Sequence, residues 1–102
     1  MYHRPIIIEK INEDTEQFET FLNVHSRINK TRGDEYFKGG ASKSKATLEF
    51  NVRFNSKIAQ IEYNTEDFRI VYNGQRFNIL DYDDFMQRHK NIKLIGESYW
   101  VM

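Results

Sequence analysis

Between Ala46 and Phe54 apolar and polar residues alternate without a break: Leu48, Phe50, Val52 and Phe54 fall on one face, Thr47, Glu49, Asn51 and Arg53 on the other. A period of two is the mark of a strand with one buried face. The same alternation returns on both sides of Asn73-Gly74, from Phe68 to Tyr82. Asn-Gly between two such runs predicts a two-residue type I′ turn and hence a β-hairpin. That register sets Tyr72 opposite Gln75, Ile70 opposite Phe77 and Phe68 opposite Ile79, with Arg69, Val71, Arg76 and Asn78 on the other face. The predicted core is Leu48, Phe50, Val52, Phe54, Phe68, Ile70, Phe77 and Ile79.

The remaining elements follow more weakly from the same pattern. Residues 5–11 form a short β-branched run opened by the chain's one proline, which predicts an edge or entry strand, where a missing N–H donor is tolerated. Residues 12–20 hold Glu13, Asp14, Glu16 and Glu19 with no basic residue and no period, and predict a solvated loop. Residues 21–31 alternate again, with Leu22, Val24 and Ile28 on one face, although Ser26 interrupts it. Gly33-Asp34-Glu35 is suited to open one helical turn through Tyr36 and Phe37, which Gly39-Gly40 would end. Residues 55–67 predict a loop with room for a turn of helix at Ile58 and Ile61. Residues 91–96 supply a last strand with Ile92 and Leu94 on one face. About six strands with short connections and no long helix predict an all-β fold, an antiparallel barrel or a small sandwich. Of these we expect a small antiparallel β-barrel with a short helical turn and one long flexible loop, since closing the sheet also removes its edges.

Composition narrows the function classes. A chain of 102 residues is expected to be one domain, residues 1–102, with a modest core. Eight Phe and six Tyr suit pleated, half-buried surfaces. The absence of cysteine excludes disulfides and thiol catalysis. His3, His25 and His89 lack metal-ligand spacing. No run is apolar enough for a membrane span or a secretory signal, so neither membrane insertion nor secretion by that route is expected. No nucleophile or histidine is spaced to work with the Asp81/Asp83/Asp84 cluster, which reads as a solvated hairpin loop. We expect neither an enzyme nor a cofactor.

Net charge is zero but unevenly spread. Lys and Arg against Asp and Glu number two to five in residues 1–24, eight to three in residues 25–57 and five to seven in residues 58–102. The basic excess centres on Lys38, Gly39, Gly40, Ser42, Lys43, Ser44 and Lys45. This reads either as a solvated loop or as a mobile Gly/Ser-rich segment whose lysines meet phosphates or a protein partner.

Three stretches in this order carry a resemblance: Gly33-Asp34-Glu35-Tyr36-Phe37, then residues 48–54, then residues 68–79. The sequence resembles the phage head-tail joining family, the head-closure or stopper proteins of tailed bacteriophages, from Arg4 to about Glu97. The resemblance implies a β-barrel subunit; since no long apolar stripe remains once the strand faces are used, we expect it to be monomeric when isolated. It would form a homo-oligomeric ring beneath the portal and its adaptor (connector) protein, close the channel on packaged double-stranded DNA, and dock a tail-joining or tail-terminator protein. It implies assembly in the host cytoplasm and a final place at the head-tail interface of the virion. The family's channel loop falls here on residues 33–47, the basic segment. A ring gathers such lysines around one axis, so a modest charge per subunit becomes a strong local field. Two other readings stand beside this one. One is a tail terminator. The other is a small OB or Sm-like nucleic-acid-binding barrel stacking bases on Phe50, Phe54, Tyr72 and Phe77.

Overall fold

The structure is a computed structural model that describes residues 4–30, 43–84 and 88–101. Six strands account for most of them: β1 (Arg4–Asn12), β2 (Gln17–Lys30), β3 (Lys43–Arg53), β4 (Phe68–Tyr72), β5 (Gln75–Asp84) and β6 (Asn91–Val101). They close into a barrel in the order β1-β2-β3-β6-β5-β4, every pairing antiparallel. The expected all-β barrel is therefore the observed fold. A helical turn, α1 (Ser56–Ala59), and a 3₁₀ turn (Thr65–Asp67) link β3 to β4.

The central hairpin has the predicted register, with Tyr72 opposite Gln75 and Ile70 opposite Phe77. Asn73 and Gly74 both have positive φ, 54° and 80°, as a type I′ turn requires. The inner faces of β3, β4 and β5 meet across the barrel. Phe50 and Phe77 are buried and pack edge to face with ring centroids 5.3 Å apart. Val52, Phe68, Ile70 and Ile79 are buried with them, while Leu48 and Phe54 pack against this core half-buried. The core also takes in Ile6, Ile8, Ile58, Ile61, Ile92 and Leu94. Ile92 and Leu94 share the inner face that the pattern of residues 91–96 gives them, whereas the other four lie on segments whose pattern is too short or too mixed to reveal one.

Several sequence-based expectations change. Of the edge or entry strand expected at residues 5–11, the edge alternative fails: they belong to the first strand, and β1 pairs with β2 on one side and β4 on the other. Pro5 is accommodated because β4 pairs with β1 only from Ile7 onward. The acidic stretch is not one long loop. Residues 13–16 turn tightly, the Asn12 side chain accepting from the Asp14 and Thr15 amides, and residues 17–20 already belong to β2. Glu16 closes the turn with a φ of 59°. The Asp81/Asp83/Asp84 cluster lies on β5, where Asp83 stands opposite Lys93, and is not a hairpin loop. Ser26, which broke the apolar face of β2, is fully buried and donates its hydroxyl to the Asn51 carbonyl at 3.1 Å. That bond removes the cost of burying an unpaired hydroxyl. The proposed helical turn at residues 33–37 lies outside the described residues.

Candidate functional site at the basic end of the barrel

Strand direction sorts the charged residues to the two ends of the barrel. β2 runs to Lys30 at the end where β3 begins with Lys43, and that same end holds Arg4 at the start of β1 and Arg76 just after the Asn73-Gly74 turn. The opposite end carries the β1–β2 turn with Glu13, Asp14 and Glu16, the 3₁₀ turn with Glu66 and Asp67, and Asp83 and Asp84 closing β5. Arg53, Lys57, Arg88 and Lys90 offset part of this negative charge. A chain with no net charge is thus polarised along its barrel axis.

Of the candidate residues, Lys38, Gly39, Gly40 and Ser42 lie outside the described residues. Lys43, Ser44 and Lys45 are strand residues at the start of β3, paired with Val101, Trp100 and Tyr99 of β6. The strand therefore begins three residues before the alternating pattern does, because its pairing is drawn from the distant β6. Residues 31–42 span the interval between two antiparallel neighbours at the basic end.

The outer wall is held by cross-strand polar contacts. Arg69 Nε lies 2.7 Å from Glu9 Oε1, directly opposite it in register, and the Arg69 guanidinium stacks 4.1 Å above the Phe18 ring. Glu49 accepts from the Asn51 side-chain amide at 3.0 Å and lies 3.9 Å from Lys93 Nζ. At the acidic end His89 Nδ1 lies 2.6 Å from Asp84 Oδ2, its backbone N–H donates to Asp84 Oδ1, and its ring packs 4.6 Å from Phe54. Burial pushes the Tyr82 phenol up to about 12, with the Glu62 and Asp84 carboxylates adding to the shift. Among the described residues no His, Cys, Asp and Glu side chains group in a way that would hold a metal ion.

The aromatics do not form a base-stacking platform. Phe50 and Phe77 are buried, and Tyr72 and Phe54 pack against the core. This removes the observation on which an OB or Sm-like reading rests.

Two features had no signal in the sequence. β2 and β3 pair only between Arg27–Lys30 and Leu48–Asn51 and then diverge. A groove of about 220 Å³ opens there, lined by Val24, His25, Arg53 and Asn55. Divergence of two strands is a long-range property that neither strand's own pattern contains.

Comparison with known proteins bears on this arrangement. Residues 7–96 match the family model described as phage head completion protein. Among solved structures, the fold is similar to a chain of the virion of a native gene transfer agent (GTA) particle. The TM-score is 0.67 and the identity 12%, with 100% of this chain and 98% of that chain covered. Comparison with curated protein sequences gives no match.

Proposed function

Because the chain belongs to the phage head completion protein family, we propose that it is a structural stopper, forming a ring below the portal and adaptor, closing the DNA channel after packaging and presenting the docking site for the tail. The reading is supported above all by the family match over residues 7–96. Charge polarity fits it. In a ring whose basic ends point to the axis, the segment between β2 and β3 sits closest to DNA phosphates. The acidic ends then point away from the polyanion, which a uniformly basic subunit would not need to arrange.

In this reading Lys38, Lys43 and Lys45 supply the charge at the channel, and Gly39, Gly40, Ser42 and Ser44 are the small residues that face the DNA beside them. The isolated subunit is a monomer, and the ring forms on the portal-adaptor platform. The partners are that platform, the tail-joining protein and the packaged DNA. No catalytic step is involved.

The test is to make particles without this protein and follow the genome. Heads that package DNA but then lose it, with unattached tails accumulating, are the expected outcome. Heads that keep their DNA and bind tails normally would overturn the reading.

A further inference from the structure

The outer side of β2 is the longest open strand edge among the described residues. Pairing with β3 stops at Arg27. Among the described residues, no strand lies on the side of residues 18–25 away from β1, and no further backbone hydrogen bond reaches them. At the rise of an extended strand this is an edge of roughly 25 Å. An edge of that length is a template for another strand unless something covers it. The adjoining groove at Val24, His25, Arg53 and Asn55 gives an added strand room for side chains.

The chain has other open edges, and their chemistry separates them as donors. The start of β1, outside its pairing with β4, carries Pro5, which has no N–H to give. The end of β5 carries Asp81, Asp83 and Asp84, which would face Glu19 on β2 with like charge. The start of β3 adjoins residues outside the described set. β6 is different. Among the described residues, Ser98–Val101 pair with β3 alone, since β5 leaves β6 after the Asn78–Glu97 pair and continues with β4. This segment is uncharged and rich in the strongest strand formers, Tyr99, Trp100 and Val101.

We propose that Ser98–Val101 of one copy adds as a strand to the open edge of β2, residues 18–25, in the neighbouring copy. The donor and acceptor edges are different surfaces, so the contact is heterologous and repeats from copy to copy, as a ring demands. This inference rests on the ring in the proposed function and assigns the contact that builds it.

The chain has no cysteine, so introduced thiols report one contact only. Particles are prepared with the double variant Asn23→Cys/Tyr99→Cys and with each single variant, and treated with a short thiol-specific bifunctional cross-linker that tolerates an offset in register. Wild-type particles are treated in parallel with glutaraldehyde, which joins neighbours whatever their contact. Thermal melts of the free variants, matching wild type, establish that each variant folds. The expected result is a ladder of linked oligomers in the double variant, absent from both single variants, beside a glutaraldehyde ladder. A glutaraldehyde ladder without a thiol ladder keeps the ring and overturns the strand addition. No ladder with either reagent overturns both.

Discussion

A Cβ added at Gly96 would lie 3.0 Å from Phe50 Cε1 and 3.0 Å from Phe77 Cβ. The missing side chain on β6 is therefore what lets the two buried rings approach across the barrel. Phe77 Cβ is fixed by its own backbone and cannot yield as a side-chain tip can. Gly96→Val is expected to cost about 1–3 kcal/mol, the usual range for overpacking, read as a lower denaturation midpoint. An unchanged midpoint would show that the rings have slack. Tyr82 supplies a second test at this scale. Its phenol is raised to about 12 by burial and nearby carboxylates, whereas an unfolded tyrosine titrates near 10. The unfolded chain therefore loses this proton first. The stability involved is fully present below about pH 10 and is lost as pH rises toward 12. Melting temperature should fall over that interval, and less steeply in Tyr82→Phe. Equal alkaline slopes in the two proteins would remove Tyr82 from the account.

At the scale of elements, what can be read in the sequence depends on how local its cause is. The turn of the β4–β5 hairpin and the register beside it were legible because Asn73-Gly74 sets the turn and the alternation sets the register, whereas the extension of β5 through Asp81–Asp84 was not. The acidic stretch misled because charge suggests solvation and says nothing of pairing, and β2 is held there by β1. Ser26 looked like a flaw in a strand because its partner, the Asn51 carbonyl, is distant in the chain. Of the candidate site, the basic excess was legible. Its division between strand residues Lys43–Lys45 and the preceding segment was not, because β6 supplies the pairing. α1 lies between these cases. Ile58 and Ile61, both buried, have helical spacing in a stretch otherwise read as loop. The element is started by Asn55, whose side-chain oxygen accepts from the Lys57 and Ile58 amides, each at 2.9 Å. Asn55→Ala should cost about 1 kcal/mol, the typical value of an N-cap. Asn55→Asp, which keeps the acceptor, should recover most of it. If the two variants melt alike, the cap is not what places Ile58.

For the whole molecule the governing feature is a neutral chain sorted into a basic and an acidic end. Counterion release makes contacts to DNA phosphates depend on salt, whereas the β3–β6 pairing that carries Lys43 and Lys45 is made by the main chain. Replacing Lys38, Lys43 and Lys45 together by Ala should therefore leave the barrel intact, with a melting temperature close to wild type. If these lysines face the channel, a ring loses three charges for every subunit, and closure should weaken far more than stability does. Filled heads carrying the triple variant are expected to retain less of their genome after purification than wild-type heads. The gap should be widest at low salt and narrow as salt screens the wild-type contacts. A triple variant that melts normally and retains its genome at wild-type levels at every salt concentration would place closure on other residues of the ring. A triple variant that melts early would instead assign the lysines to the fold.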